Sequence, residues 1–260
     1  MQNTLEKNVV VLTGAAGFLG EFFARQLYAR GASLALIDLK QPAYLDEMIP
    51  KRVEFFRVDI TSEEEWEYAV GNILEKFGII DSLINNAANN PQVAGAQGRA
   101  ISSRLGDWKS DIEVGLTGTF LATMFCGELM VKQKSGSIVT ILSDLAVIAP
   151  DQRIYSEAGV NGGTFVKPAS YSAVKFGQLG LVRYFATLWG NTGVRVNAIS
   201  PGGIFNGQSP EFVEAISRRV PMQRMANRED LIGPMCMLLS QDSAYMTGAN
   251  VVIDGGRSIW

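Results

Sequence analysis

Val9-Val-Val-Leu12 and Thr13-Gly-Ala-Ala-Gly-Phe-Leu-Gly20 run from a short, fully apolar segment straight into a glycine-rich turn. A helical pattern follows over 21–30, with Phe22, Phe23, Leu27 and Tyr28 at near-helical spacing. In such a turn Gly14 permits the tight reversal and Gly17 lets the backbone approach a pyrophosphate closely. Gly20 lets the helix pack on its strand. The helix N-terminus adds free N–H groups and a positive dipole end. A plain strand–turn–helix would also tolerate these glycines, so the next acidic residue matters. The second apolar run, 33–38, ends on Asp38. A carboxylate there accepts both hydroxyls of an adenosine ribose and repels a 2′-phosphate. No Arg or Lys lies inside the turn, and Lys40 is the one nearby cation. The expected cofactor is NAD, with NADP disfavoured. Phe18, Leu19 and Leu39 complete its expected contacts at this end.

The same rhythm repeats outward. Strands are expected at 53–59, 82–85, 137–142, 194–199 and 250–253, and helices at 62–77, 108–134, 169–191, 210–219 and 228–240. Ser62 with Glu65 fits a capping box. Strands that are apolar throughout and alternate with helices imply a parallel sheet covered on both faces. The expected fold class is α/β: one doubly wound Rossmann-type domain over 1–260, with about seven strands. Residues 149–168 break the rhythm as a polar, glycine-containing insertion, and irregular loops of that length tend to carry function.

Composition narrows the function. Of 260 residues, 47% are hydrophobic and 19% charged, with a net charge of −3. No basic excess exists to hold nucleic acid or an anionic membrane. Neither a signal peptide nor a membrane-spanning run is evident, so a cytoplasmic location is expected. Cys126 and Cys236 sit in apolar stretches and read as core residues. There is no histidine, which excludes His-dependent triads and His-ligated metals. Proton transfer near neutral pH falls to Tyr, Lys, Asp or Glu, and no metal is expected.

Further motifs carry a resemblance. Asp59-Ile60 follows the third strand, Asn85-Asn-Ala-Ala88 the fourth, and Ser143 the fifth. Tyr171-Ser-Ala-Val-Lys175 opens a helix, Pro201-Gly202 follows the sixth strand, and Val252-Ile-Asp-Gly-Gly256 comes with the last strand. In that order, with the glycine turn, they resemble the short-chain dehydrogenase/reductase family over nearly the whole length. The resemblance implies an oxidoreductase with Ser143, Tyr171 and Lys175 as catalytic residues. Asp59 and Ile60 would contact adenine, Asn86, Ala87 and Ala88 would line the cofactor, and Pro201, Gly202 and Ile204 would lie beside the nicotinamide. It also implies a homodimer or homotetramer, packed through the helices at 108–134 and 169–191.

The chemistry of the pair stands on its own. Residues i and i+4 share a helix face. A phenol of pKa ~10 is a poor base at neutral pH, and an adjacent ammonium stabilises its phenolate. Ser143 would hydrogen-bond the substrate oxygen. Tyr155 lies nearer Ser143 in sequence, but its i+4 residue is Gly159, so catalysis goes to Tyr171 and Tyr155 is left as a substrate contact. Arg153 and Lys167 flank the insertion. They are either solvated loop charges or partners of an anionic substrate, and Arg153 is carried forward as a candidate.

Three features depart from the family pattern. The glycine spacing is that of its longer, sugar-nucleotide branch. Gly115 stands where an Asn usually holds a proton-relay water. The threonine common after Pro-Gly is missing from Pro201-Gly-Gly-Ile-Phe-Asn206. With Val114-Gly-Leu-Thr-Gly118, Ile148-Ala-Pro150, Ile154-Tyr155 and Ser258-Ile-Trp260, these resemble dehydrogenases of bacterial surface-sugar and flagellin-glycan pathways. That implies a sugar, sugar-phosphate or nucleotide-sugar substrate. A 3-oxoacyl thioester reductase and a non-catalytic dinucleotide-binding protein are the alternatives.

Overall fold

The computed structural model describes residues 5–89, 105–159 and 165–260. Seven strands form one sheet: β1 (Val9–Thr13), β2 (Ser33–Asp38), β3 (Val53–Arg57), β4 (Ser82–Asn85), β5 (Gly136–Ile141), β6 (Val194–Pro201) and β7 (Asn250–Ile253). Every pairing is parallel, in the order β3-β2-β1-β4-β5-β6-β7. Among the described residues eight α-helices accompany them: α1 (Phe18–Ala29), α2 (Glu63–Phe77), α3 (Leu105–Ile112), α4 (Gly118–Gln133), α5 (Arg153–Glu157), α6 (Ala169–Leu188), α7 (Pro210–Ser217) and α8 (Ile232–Leu239).

The doubly wound architecture follows from burial on both faces. On one face Trp66, Leu121, Met130 and Phe185 from α2, α4 and α6 pack together. On the other, Phe22, Phe23, Leu27, Met235 and Leu238 come from α1 and α8. Both layers remove apolar surface from water, at about 25 cal/mol per Å². A smaller cluster of Ile154, Ala215, Ile216, Val220 and Met225 packs α5 against α7 at one end of the sheet. The winding reverses between β1 and β4, and a ligand crevice opens at such a switch point, beyond the carboxyl ends of the strands.

Several expected boundaries move. The first helix starts at Phe18, because Gly17 already caps it and Glu21 N–H donates to Gly17 O at 2.9 Å. Ser62 caps α2 through Glu65 N–H, but the Glu65 carboxylate turns to Asp59 N–H at 2.6 Å instead of closing a capping box. The helix expected at 228–240 divides into a 3₁₀ turn, Arg228–Leu231, and α8.

The helix expected at 108–134 is interrupted by a π turn over Glu113–Thr117. Gly115 sits inside it, where a Cβ would come 2.4 Å from Val174 Cγ1 on α6. The run Leu105–Gln133 is long and apolar enough to cross a membrane, yet half of its most apolar window is buried within the molecule.

Candidate active site

Ser143 lies two residues beyond the end of β5, held by its own turn: its hydroxyl donates to Asp144 Oδ1 at 2.9 Å and accepts from Leu145 N–H at 3.2 Å. Pro168 precedes α6, so Tyr171 falls in the first helical turn and Lys175 in the second. All three line one cavity of about 310 Å³ at the carboxyl end of the sheet, together with Tyr155, Lys167 and Arg257.

Lys175 is 4% exposed. Its Nζ donates to Ile141 O at 2.8 Å and Gln178 Oε1 at 3.1 Å, and lies 5.8 Å from the Tyr171 ring centroid. Burial, assisted by the Lys167 charge, pulls its ammonium down to about 7. Burial pushes the Tyr171 phenol above its usual value, while a hydrogen bond with Ser143 pulls it back. An unassisted phenol here would stay protonated at neutral pH. The site therefore needs its cations to make a base, which fits the pairing of Tyr171 with Lys175.

The position left by Gly115 is filled from α6. Gln178 Nε2 donates to Gly115 O at 3.0 Å and to Thr119 Oγ1 at 2.9 Å, while its Oε1 accepts from Lys175. Thr119 in turn donates to Gly115 O at 2.7 Å. The π turn brings that carbonyl within reach. One carboxamide thus spans the gap between Lys175 and the α3–α4 backbone.

The glycine turn forms a cradle. Gly14 has φ of +66°, and a Cβ on Gly20 would lie 2.0 Å from Gly14 O. Asn86 fastens the turn, its Nδ2 donating to Thr13 O at 3.0 Å and Gly14 O at 3.1 Å. Thr13 Oγ1 accepts from Asn86 N–H at 3.0 Å and Ala87 N–H at 3.1 Å. Asp38 Oδ2 accepts from Ala16 N–H at 2.9 Å, so its carboxylate stands at the mouth of the turn. Glycines that exclude side chains, a helix N-terminus and a carboxylate at the β2 end together suit a dinucleotide.

Other candidates fall into place unevenly. Leu19, Asn86, Ala88, Pro201, Gly202 and Ile204 line the same cavity as Ser143, Tyr171 and Lys175. Phe18 is partly exposed under the Arg228 guanidinium, and Leu39 is exposed beside Asp38. Asp59 lies beyond β3, where its carboxylate accepts from Thr61, and Ile60 packs against Gly118.

Tyr155 lines the cavity between the rings of Phe165 and Phe212, at 4.9 and 5.8 Å, and burial pushes its phenol up to about 12. Arg153 does not reach the cavity: its side chain is 78% exposed and ion-paired to Asp151. The tight turn before α5 explains this, since Asp151 also accepts from Arg153 N–H. Residues 160–164 of the expected insertion lie outside the described residues.

Three residues that the sequence analysis did not single out bear on the site: Asp144 and Arg257 line the cavity, and Gln178 lies behind it against Lys175. Gln178 was detectable in principle, at i+3 from Lys175 and on its helix face. Asp144 and Arg257 pair at 2.6 Å across the fold, and no local pattern joins them.

Comparison with known proteins matches this geometry. Residues 14–258 fit the family model described as enoyl-(acyl carrier protein) reductase. The chain is 30% identical to trans-4-hydroxycyclohexanecarboxylate dehydrogenase of Sinomonas cyclohexanicum, over 99% of this chain and 95% of that protein. It is 29% identical to D-threitol dehydrogenase of Mycolicibacterium smegmatis, over 98% and 94%. A solved short chain dehydrogenase from Leptospira borgpetersenii serovar Hardjo-bovis, with bound NAD+, superposes with a TM-score of 0.86 at 29% identity, covering 98% and 94% of the two chains.

Proposed function

The chain belongs to the short-chain dehydrogenase/reductase family, and on that premise we propose that it is a cytoplasmic, NAD-dependent dehydrogenase of a sugar-like, polyhydroxylated substrate. The protein is an oxidoreductase acting on CH–OH or C=O groups with a nicotinamide cofactor. The observation that carries the reading is the convergence of Ser143, Tyr171 and Lys175 on one cavity at the sheet's carboxyl end.

When bound, NAD supplies the hydride acceptor, or as NADH the donor. The chain's residues do the rest. Ser143 turns its hydroxyl from Asp144 to the substrate oxygen and stabilises charge developing there. Tyr171, as phenolate, takes the alcohol proton in oxidation and returns it in reduction. The Lys175 ammonium favours that phenolate. Asp38 favours NAD over NADP, because its carboxylate at the mouth of the turn would repel a 2′-phosphate. The relative with bound NAD+ supports the same choice.

The resemblance to surface-sugar dehydrogenases and the threitol-oxidising relative both support a polyhydroxylated substrate. Tyr155 and Phe212 would pack against its carbon skeleton. Asp59 and Ile60 would border the adenine. A relative described as a 3-oxoacyl-[acyl-carrier-protein] reductase, 29% identical to this chain, favours a second reading, a 3-oxoacyl thioester reductase. The Asp38 carboxylate opposes it, since that chemistry usually draws on NADPH.

The test is Tyr171→Phe. NADH formation over a panel of polyols, aldoses and sugar acids should fall by about 10²–10⁴-fold, with NAD binding retained. Wild-type protein that binds NAD tightly yet oxidises no panel member, and reduces none of the corresponding ketones, would overturn the proposal.

A further inference from the structure

Among the described residues, three cations line the cavity, Lys167, Lys175 and Arg257, against one carboxylate, Asp144. The charges of Arg257 and Asp144 cancel locally, since they pair at 2.6 Å with side chains only 10% and 4% exposed. Lys175 is committed to Ile141 O and Gln178 Oε1. Lys167 remains.

Its backbone is fixed on both sides by Gln152, whose Oε1 accepts from Lys167 N–H at 2.8 Å and whose Nε2 donates to Lys167 O at 3.3 Å. The side chain reaches over the Tyr171 ring, with Nζ 3.8 Å from the centroid. Among the described residues, no carboxylate or other hydrogen-bond acceptor is in contact with that Nζ. Asp144 and Asp111 act on it only at longer range. A partly desolvated ammonium with only a ring face for company is costly unless an anion completes it.

On the reading that the site oxidises or reduces a hydroxylated substrate, we infer that this substrate carries an oxyanion, a carboxylate or a phosphate ester, which Lys167 receives beside the Asp144–Arg257 pair. The reacting carbinol then lies at Ser143 and Tyr171, and the oxyanion lies toward the insertion. Lys167 thereby selects both the substrate class and its orientation.

The charge has a pH limit. Burial pulls the Lys167 ammonium down to about 8. Oxyanion affinity is therefore present below that value and falls as pH rises through it. Among the described residues, the charged and titratable groups around Lys167 are Asp111 on α3, Asp144 after β5, Tyr155 on α5, Tyr171 and Lys175 on α6, and Arg257 near the C-terminus. Of these, Asp111 is engaged by the Ser170 hydroxyl and Asp144 by Arg257.

Calorimetry on the full chain saturated with NADH tests the inference with two matched probe pairs: D-gluconate against D-glucitol, and D-glucose 6-phosphate against D-glucose. At least one oxyanion should bind tenfold or more tightly than its neutral partner, and the favoured pair identifies carboxylate or phosphate. Lys167→Gln should remove that difference, and Lys167→Arg should keep most of it. Equal affinities within both pairs, failure of all four probes to bind, or an equal loss for charged and neutral probes in Lys167→Gln would overturn it. Turnover of the same probes separates the two proposals. Charge-dependent binding without NADH formation from NAD would leave the oxyanion site standing and count against the dehydrogenase reading. Turnover of neutral probes alone would do the reverse.

Discussion

At the residue scale, the proposed role of Tyr171 as base depends on how Lys175 is kept charged in a buried place. Burial works against it and brings its ammonium to about 7. Two acceptors work for it, Ile141 O and Gln178 Oε1. Hydrogen bonds to a charged group contribute about 1.5–3 kcal/mol, on the order of one pH unit or more. Gln178→Leu removes one of them. The Lys175 pKa should fall further, a neutral amine then lowers the phenol's pKa less, and phenolate forms only at higher pH. The ascending limb of kcat/KM against pH should therefore move up by about one unit. Gln178→Glu keeps an acceptor and should hold the limb at or below its wild-type position. A purely structural Gln178 would lower rates at every pH and leave the limb in place. The Tyr171–Lys175 pair was legible because i,i+4 geometry is written in the chain. Gln178 was not read, because its value depends on a carbonyl of another helix, at Gly115. Arg153 was misplaced because sequence position beside a loop says nothing about which way a side chain turns.

At the element scale, the strands were the most legible part. The expected runs 33–38, 82–85 and 250–253 coincide with β2, β4 and β7: covered strands favour apolar runs, and β7, at the sheet edge and only partly covered, keeps its apolar Val251-Val-Ile253 between polar neighbours. The π turn between α3 and α4 was illegible as structure. Gly115 advertised only a missing Asn, whereas its positive role is to let two helices meet. A Cβ there would strike Val174 Cγ1 at 2.4 Å. Gly115→Ala should destabilise by about 1–3 kcal/mol through overpacking, read as a lowered midpoint in urea with unchanged slope. Adding Val174→Ala should recover part of the loss, because it removes the methyl groups that the new Cβ meets. Full stability in Gly115→Ala alone would show that the helices have room to part. In that case the bond from Gln178 to Gly115 O is not enforced by packing.

At the scale of the whole molecule, α6 works on two faces. Inward it carries Tyr171, Lys175 and Gln178. Outward it presents Phe176, Tyr184 and Leu188, which are 49%, 59% and 52% exposed. With Gly180, whose Cβ position is open space, these residues recur at i, i+4, i+8 and i+12 as one ridge. Phe120 of α4 is exposed as well. An apolar ridge with a small residue in it suits packing against another helix, and we propose that the homodimer or homotetramer implied by the family resemblance would supply one in a second copy of this chain. A stable pairing of that kind buries about 1,200–2,000 Å². Sedimentation should then give a multiple of the 28.2 kDa chain mass, and Tyr184→Arg should shift it toward the monomer. Because the same helix holds the base on its other side, the dissociated variant should lose turnover more than NAD affinity, whose cradle lies at β1 and β2. A wild-type monomer, or a monomeric variant of full activity, would uncouple assembly from the site and leave the ridge without a role in positioning Tyr171.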